Sequence, residues 1–268
     1  MIIIKGAGDI ASGIAVRLFR AGYRIAMTDI PEPTAIRRTV AFSEAIRLGT
    51  TTVEHITAVK AQIISVVTDA FSKQQIPVIP VDSGILEDIL SQADGIIDAR
   101  LAKYNIDTSM SDAKVVIGIG PGFTAGKDCH AVVETMRGHY LGRSLYCGSA
   151  AENTGIPGII GGYGEERVLR APCDGSFFAV KHIGDVVSQG EVIAMVNGVP
   201  LNARIPGMIR GLLPDGITVF KGMKSGDVDP RAEADYCDFV SDKALAIAGG
   251  VLESLLHFGI LPDSTKNI

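Results

Sequence analysis

The first residues of the chain whose types could bind a ligand form a glycine turn. Residues 6–11 read Gly-Ala-Gly-Asp-Ile-Ala and include Gly6, Gly8, Asp9 and Ile10. In such a turn the first glycine permits a tight bend, and the second lets a pyrophosphate approach the backbone. Amide groups at the start of a following helix attract an anion. The turn therefore predicts a nucleotide site through these four residues. A purely structural turn is the alternative, with Asp9 as a helix cap.

An acid follows the turn at the spacing expected for ribose recognition. The turn lies between an apolar run at residues 2–4 and a helical pattern that ends at Gly22. A second predicted strand, residues 24–28, closes on Asp29, which is 21 positions after Gly8. An acid at this spacing accepts hydrogen bonds from a ribose hydroxyl group. We therefore add Asp29 to the predicted nucleotide site.

Two adjacent arginines offer a second way to hold an anionic ligand. Thr34 and Gly49 predict the start and the end of a helix, and Arg37 and Arg38 lie one turn into it. Guanidinium groups bind phosphates and carboxylates. The alternative is a basic helix face that only meets solvent.

Further candidates lie where predicted strands end. Short apolar runs at residues 63–67, 78–81, 95–98 and 115–119 alternate with helical stretches, and this alternation predicts a mostly parallel sheet. Open sheets of this kind bind ligands at the carboxyl ends of their strands. Asp98 and Arg100 stand at such an end, where they serve either a ligand or a structural ion pair.

A second glycine loop follows the run at residues 115–119. It does not match the P-loop pattern, but its backbone amides and one lysine could hold an anion. The predicted binding residues of this loop are Gly120, Gly122, Phe123 and Lys127.

Cys129 and His130 are the weak candidates for a metal. They precede an apolar pattern that predicts a helix ending at Gly138. A thiol beside a histidine at a helix start has a lowered pKa, which suits metal binding or sulfur and selenium chemistry. A structural Cys-His pair is the alternative, and the widely spaced cysteines predict no closed zinc site.

Residues 168–230 contain an internal repeat with an offset of 32 positions. Its matched pairs are Ala171 with Ala203, Gly175 with Gly207, Gly184 with Gly216, Val187 with Val219 and Gly190 with Gly222. Two such units predict a flattened sandwich of short strands. The motif from Gly184 to Ile193 resembles the barrel-sandwich hybrid fold of biotinyl and lipoyl carriers. The hairpin at residues 196–199 has no lysine, so we expect neither biotin nor lipoate.

The patterns together predict an α/β fold with three parts. A Rossmann-like parallel-sheet domain takes residues 1–163, and a small all-β barrel-sandwich hybrid domain takes residues 164–231. A C-terminal helix and tail follow over residues 232–268, and the apolar face of this helix offers a surface for a homo-oligomer.

Composition excludes several classes of partner. The formal net charge is −5 and no long basic run occurs, so nucleic acid is not an expected partner. Apolar runs are too short for a membrane span, and the opening strand leaves no room for a signal peptide. With four scattered cysteines, we expect a cytoplasmic protein.

The glycine turn and three further motifs carry a family resemblance. These motifs are residues 36–38, 120–123 and 226–231. They resemble the YqeB-like accessory proteins of selenium-dependent molybdenum hydroxylase systems, along nearly the whole chain. The resemblance implies a role in cofactor maturation or selenium insertion, with a molybdenum hydroxylase as partner.

The sequence therefore indicates two alternative functions. The first is an accessory protein whose small-molecule ligand is NAD(P) or a molybdopterin nucleotide. The alternative is an NAD(P)-dependent oxidoreductase, for which the sequence offers no positioned proton donor such as Tyr-x-x-x-Lys. Whether the protein is an enzyme is left open.

Overall fold

The structure, a computed structural model, describes residues 1–263. These residues form two compact units. The first unit contains residues 1–33, 41–153 and the described part of 240–268, and the second contains residues 34–40 and 154–239. The predicted domain limits after residues 163 and 231 stay a prediction, and the compact units group the chain differently.

Most of the α-helices belong to the first unit. The α-helices of the described residues are α1 (Asp9–Arg20), α2 (Glu44–Leu48), α3 (Ile64–Ser72), α4 (Leu86–Leu90), α5 (Asp235–Asp238) and α6 (Asp242–His257). All of them except α5 belong to the first unit.

A large mixed sheet forms the centre of the first unit. The strands of this unit are β1 (Ile2–Lys5), β2 (Ile25–Asp29), β3 (Thr50–Val53), β4 (Ile56–Lys60), β5 (Ile76–Pro80), β6 (Gly95–Asp98), β7 (Val115–Ile119), β8 (Thr124–Ala125), β9 (Ala131–Val133), β10 (Ser144–Leu145) and β11 (Gly148–Ser149). In the described residues the sheet order is β10-β9-β7-β6-β1-β2-β5-β4-β3. Pairs from β9 to β4 are parallel, whereas β10 and β3 add antiparallel edges. The short pair β8 and β11 stands apart.

Apolar strands explain why this sheet is buried on both faces. Residues Ile2, Ile3 and Ile4 are each at most 1% exposed, as expected for a parallel strand covered on both sides. Ile3 packs in a core with α3 and α4. On the other face α1 and α6 pack closely, and a Cβ at Gly13 would lie 2.5 Å from the Cβ of Ala244. α6 begins after Ser241, whose Oγ accepts a hydrogen bond from the Ala244 amide.

Two antiparallel sheets form the second unit. Its strands are β12 (Val168–Arg170), β13 (Gly175–Ala179), β14 (Val186–Val187), β15 (Val192–Val196), β16 (Val199–Asn202), β17 (Gly207–Leu212), β18 (Thr218–Val219) and β19 (Lys224–Asp229). Within the described residues the sheet orders are β12-β19-β17-β14 and β16-β15-β13-β18. Side chains from both sheets share one apolar core, which includes Phe177, Val187, Ile209 and Val219.

The fold class predicted from the sequence is wrong. The first unit is not a Rossmann-like parallel sheet but a mixed sheet with antiparallel strands at both edges. Between β6 and β9 the only helix of the described chain is a 3₁₀ helix, Met110–Asp112, whereas a parallel α/β domain would connect these strands through α-helices. The second unit also differs from the predicted small barrel-sandwich hybrid domain, because it contains residues 34–40 and α5 in addition to its two sheets. The C-terminal helix α6 belongs to the first unit.

Three local predictions also fail. Residues 63–67 were predicted as a strand but open α3, because a short apolar run does not distinguish the two. The helix predicted from Thr34 is a 3₁₀ helix, Arg38–Val40, followed by the short α2, although Gly49 does end α2. The helix predicted after His130 is the strand β9.

No helix within residues 1–263 combines the length and the apolar character that crossing a membrane requires.

Candidate functional site

The carboxyl ends of neighbouring parallel strands define the candidate site in the first unit. β6, β1 and β2 are adjacent. The first glycine turn follows β1, Asp29 is the last residue of β2, and Arg100 lies two residues after β6. From β1 the chain crosses to β2 on one side, and it returns in β6 on the other side of β1. Where the strand order reverses in this way, the loops after the neighbouring strands turn to opposite sides of the sheet and leave a crevice at the carboxyl ends of the strands, which favours ligand binding.

The glycine turn packs against the segment that follows β6. Gly6 has a φ of +98°, and a Cβ there would lie 3.0 Å from the carbonyl oxygen of Ala99. Gly8 occupies the N-cap position of α1 without a side-chain cap hydrogen bond, and Asp9 and Ile10 begin the helix. The structure therefore places Gly6, Gly8, Asp9 and Ile10 together at the start of α1. Only Gly6 is restricted by its backbone conformation.

Asp29 holds the glycine turn in place. Its Oδ2 accepts a hydrogen bond from the Ala7 amide at 2.8 Å, and its Oδ1 accepts one from the Ile30 amide at 2.8 Å. Burial raises the pKa of Asp29, and the two amide hydrogen bonds offset part of that rise. The carboxylate therefore supports the backbone of the turn, and its predicted contact with a ribose stays a prediction.

Ser12 adds a support that sequence reasoning missed. Its Oγ donates to the carbonyl oxygen of Ala7 at 3.1 Å and accepts from the Phe42 amide at 2.8 Å. The Ser43 amide donates to the same Ala7 oxygen at 2.9 Å. A buried serine one turn into a helix was the available signal, since such a hydroxyl group needs partners.

Asp98 and Arg100 form a paired, largely buried centre. Asp98 is 2% exposed, and its carboxylate accepts from Arg100 Nε at 3.0 Å and from Nη2 at 2.5 Å. Thr108 Oγ1 donates to Asp98 Oδ2 at 2.8 Å. Arg100 also bridges to Asp107, with Nη2 and Oδ1 2.6 Å apart. The structure thus shows the ion pair that the sequence offered as the structural alternative.

The ion pairs of this centre keep Arg100 and Asp107 in their charged forms. Burial alone would lower the pKa of Arg100, but hydrogen bonds to Asp98 and Asp107 outweigh it and raise that pKa. The hydrogen bond from Arg100 lowers the pKa of Asp107 to about 2. Both groups are therefore charged over the range in which proteins are usually studied.

Lys5 joins the same centre, and sequence reasoning did not place it there. It is the last residue of β1 and only 9% exposed. Its Nζ lies 3.2 Å from Asp107 Oδ1, 3.1 Å from Thr108 Oγ1 and 3.4 Å from Asp112 Oδ2. A lysine directly after three isoleucines was the signal, because a charge at the end of a buried strand requires partners.

The second glycine loop is shaped by close packing. A Cβ at Gly120 would lie 2.6 Å from Thr135 Oγ1, and one at Gly122 would lie 2.6 Å from the Cα of Tyr104. Phe123 is 4% exposed and packs over Gly118. Gly120 and Gly122 thus contribute only backbone atoms at the carboxyl edge of the sheet, whereas the Phe123 ring is part of the core.

Lys127, Cys129 and His130 lie beyond that loop. Lys127 is exposed in a turn. The Nδ1 of His130 accepts a hydrogen bond from the Val116 amide at 3.0 Å, near the start of β7. Burial raises the pKa of the Cys129 thiol to about 11, so the predicted lowering of this pKa is wrong. Among the described residues, no group of three His, Cys, Asp or Glu side chains could hold a metal ion.

Glu134, which follows β9, accepts from three backbone amides. Its Oε1 accepts from Thr135 and Met136 at 2.7 Å each, and its Oε2 accepts from Ala151 at 2.8 Å. It is 6% exposed. The carboxylate therefore orders the chain between β9 and residue 151.

Arg37 and Arg38 belong to the second unit. Arg37 is 7% exposed, and its Nη2 donates to the carbonyl oxygens of Tyr236 and Phe239 at 2.9 and 3.2 Å. Arg38 Nε donates to the carbonyl oxygen of Leu212 at 2.8 Å. Both guanidinium groups thus have a structural use, and their predicted contact with a ligand stays a prediction.

Comparison with known proteins tests the family resemblance. No family model matches the chain. The uncharacterised protein YqeB of Escherichia coli (strain K12) is 48% identical over an alignment of 271 residues, which covers 100% of this chain and 50% of YqeB. This chain is similar to YqeB along its whole length. The resemblance to YqeB-like proteins is thereby confirmed. Since the chain spans about half the length of YqeB, the activity and partners of the whole relative come to it only as proposals.

Solved structures give weaker likenesses. An aspartoacylase family protein from Mesorhizobium loti has a TM-score of 0.28 and 12% identity, over 85% of this chain and 83% of that one. A succinylglutamate desuccinylase/aspartoacylase from Rhodobacter sphaeroides has a TM-score of 0.24 and 12% identity, over 84% of this chain and 86% of that one. At these scores neither likeness carries an argument about this chain.

Proposed function

We propose that this protein binds a nucleotide or a nucleotide-containing cofactor at the start of α1, as an accessory protein for a selenium-dependent molybdenum hydroxylase. The ligand would be NAD(P) or a molybdopterin nucleotide. The role in maturation follows from the resemblance to YqeB-like proteins, and the binding site follows from the glycine turn.

One observation carries the binding proposal. The turn from Gly6 to Gly8 is held by Asp29 and Ser12, and the N-cap residue of α1 is Gly8, which has no side chain to cap the first amides of the helix. A helix leaves its first amides without intrahelical partners, and such amides attract phosphate groups. A fixed turn that presents these amides costs little reorganisation when a ligand binds.

The surrounding residues favour binding over acid–base chemistry. Asp98 and Arg100 are paired with each other, and Asp98 and Lys5 both bond to Thr108. A buried, fully paired set of charges holds the loops after β1 and β6 together. This arrangement supports a rigid rim for a ligand.

A thermal-shift panel tests the proposal. The ligands are NAD, NADP, ATP, CTP, CMP and CDP, and the variant is Gly8→Asp, which places a carboxylate at the N-cap. A ligand at a hundredfold its dissociation constant should stabilise the wild type by about 2.7 kcal/mol. We expect this gain in the wild type and its loss in Gly8→Asp.

The control variant is Gly84→Asp. Gly84 is exposed, and a Cβ there would meet no atom within 4 Å. It adds the same charge without touching the turn, so it should keep the ligand-induced shift. Stabilisation by cytidine nucleotides alone supports the cofactor-handling role, and stabilisation by NAD or NADP with substrate turnover supports an oxidoreductase. If no ligand shifts the wild type, the binding proposal fails.

A further inference from the structure

One edge of the large sheet in the first unit is open. In the described residues β3 stands at the end of the sheet order, and its one neighbour is β4. The strand at the other edge, β10, is two residues long, whereas β3 has four residues. A strand at the edge of a sheet presents amide and carbonyl groups with which a further strand can pair.

The hydrogen-bond register shows which backbone groups of β3 face outward. The Lys60 amide donates to the Gly49 carbonyl oxygen at 2.9 Å, and these residues are opposite each other when the register of β3 and β4 is continued by one residue. Opposite residues of antiparallel strands alternate between hydrogen-bonded and non-hydrogen-bonded pairs. Thr51 is therefore hydrogen-bonded to β4. The amides and carbonyls of Thr50 and Thr52 point away from β4, toward the open edge.

No feature of the described chain blocks this edge. Within residues 1–263 the backbone of Thr50 and Thr52 makes no hydrogen bond on the side away from β4, and both residues are exposed. The strand reads Thr-Thr-Thr-Val and pairs without a bulge, so it has none of the lysines, prolines or bulges by which edge strands avoid pairing. Glu54, which follows the strand, has its charge compensated by Arg20, with Oε2 and Nη2 3.0 Å apart.

We propose that β3 pairs with β3 of a second copy of this chain, antiparallel and about a two-fold axis at Thr51. In this register Thr50 lies opposite the partner's Thr52, so the outward amides and carbonyls of the two copies form four hydrogen bonds. A two-fold contact requires a self-complementary surface. This strand provides one, because its outward residues are spaced evenly about Thr51 and its side chains carry no charge. Threonine pairs across strands add stability.

The size of the contact determines its strength. Four residues in each copy bury much less than the roughly 1,200–2,000 Å² of a standard interface. Leu48, which precedes the strand and is 56% exposed, adds apolar surface beside the edge. We expect a weak dimer with a dissociation constant on the order of 0.1 mM.

Sedimentation equilibrium from about 0.01 to 1 mM protein measures this association. Thr52→Pro removes an amide that faces the open edge and leaves the pairing with β4 complete, and proline is tolerated at such edge positions. It should weaken the association about tenfold or more, because two of the four hydrogen bonds between the copies are lost. The matched control, Thr52→Val, keeps the amide and a branched side chain, so it should associate like the wild type. If circular dichroism shows that Thr52→Pro is unfolded, Thr52→Lys replaces it, since a lysine blocks an edge without removing an amide.

Amide exchange followed by NMR locates the contact. From about 0.01 to 1 mM protein, exchange of the Thr50 and Thr52 amides should slow about fourfold, as mass action pairs most copies. The Thr51 amide, which is bonded to β4, is the internal control and should exchange slowly throughout. A wild type that stays monomeric at 1 mM overturns the inference and leaves the edge to a strand of another protein. A dimer that persists in the blocked variant, or that forms without slower exchange at Thr50 and Thr52, also overturns it.

Discussion

Asp98 is the residue on which the centre at the carboxyl edge depends. It accepts hydrogen bonds from the Arg100 guanidinium and amide and from Thr108, and it is nearly inaccessible to water. Lys5 meets the same Thr108 from β1. Loss of the Asp98 carboxylate would therefore leave Arg100 paired with the exposed Asp107 and would remove the buried acceptor of Thr108. Removal of one member of a buried ion pair costs more than the pair itself contributes.

Asp98→Ala should lower the free energy of unfolding by about 3 kcal/mol, because it removes the more buried of the two carboxylates that pair with Arg100. Urea unfolding followed by circular dichroism measures this change. The matched control is Asp69→Ala, which breaks an exposed pair with Lys73 on α3. That variant should cost no more than about 0.5 kcal/mol. Equal losses in the two variants would contradict the central place given to Asp98.

Asp107 predicts a stability change in acid. Its pKa in the folded protein is lowered to about 2, first by the hydrogen bond from Arg100, whereas an unfolded Asp has a pKa of about 3.9. Its contribution is therefore present above pH 4 and is lost as the pH falls toward 2. Asp107→Asn should lower the urea midpoint at pH 6, and its deficit against wild type should shrink at pH 3. Because the side chain is half exposed, high salt should reduce the effect. A deficit that is constant with pH would refute this assignment.

The four cysteines should differ sharply in reactivity. Cys147 is exposed, whereas Cys129 is buried and has a pKa of about 11. Since the thiolate is the reactive form, iodoacetamide at pH 8 should label Cys147 long before Cys129. Peptide mass spectrometry follows both sites, and in urea the two rates should converge. Early labelling of Cys129 in the folded protein would restore the reactive-thiol hypothesis.

At the scale of elements, the contact between α1 and α6 predicts opposite effects for two glycines. Gly13→Ala adds a Cβ that would lie 2.5 Å from the Cβ of Ala244, and overpacking of this kind costs about 1–3 kcal/mol. Gly249→Ala meets only the end of the Arg17 side chain at 3.7 Å, so it should gain about 0.5–1 kcal/mol of helix propensity. Thermal unfolding measures both changes.

A compensating variant checks the cause. Ala244→Gly removes the atom that the new methyl group would meet. Gly13→Ala combined with Ala244→Gly should therefore cost less than the sum of the two single changes. Additive losses would mean that the contact does not decide the effect.

Elements were predictable where the local pattern allowed one solution. The bounds of β6 and β7 agree with the apolar runs at residues 95–98 and 115–119, because strands buried on both faces are continuously apolar. Residues 63–67 are equally apolar, yet they begin α3, since only tertiary packing selects between helix and strand there. β9 was missed for the same reason. Its helical spacing of apolar residues is overruled by pairing with β7.

The site was less predictable than the elements that form it. The sequence predicted that Gly6 and Asp98 lie at the carboxyl ends of parallel strands, and the two strands are neighbours in the sheet, whereas their contact with a ligand stays a prediction. The partners of Lys5 were not predictable, since Asp107, Thr108 and Asp112 lie in a segment without regular pattern. The antiparallel pairing at the sheet edges could also not be predicted from the sequence, because a strand as short as β10 is too short to show a pattern of alternating apolar residues.

At the scale of the molecule, the repeat of the second unit is visible as an exchange of strands. β12, β13, β14 and β15 form the first copy, and β16, β17, β18 and β19 form the second. Each sheet takes two strands from each copy. Val187 and Val219 occupy equivalent places in opposite sheets and are 3% and 2% exposed. The offset of 32 therefore describes structure as well as sequence.

Equivalent positions should have equivalent energetics. Val187→Ala and Val219→Ala each remove two buried carbon groups, so each should cost about 2 kcal/mol. Urea unfolding of the two variants measures the difference between them, which we expect to be below about 1 kcal/mol. Val186→Ala is the control, because Val186 is 64% exposed and should change little. A large loss at only one of the two buried valines would show that the copies have diverged in packing.

The exchange of strands between the two sheets determines the order in which this unit can assemble during synthesis. When synthesis has reached Val196, the nascent chain holds β12 to β15, yet neither sheet has its full set of neighbours. β13 and β15 can already pair as antiparallel strands, whereas β12 and β14 have no partner until β19 and β17 are made. The last strand of this unit to be synthesised, β19, fills the place between β12 and β17. The unit therefore closes only after its final strand emerges, and until then its open edges depend on protection from other chains.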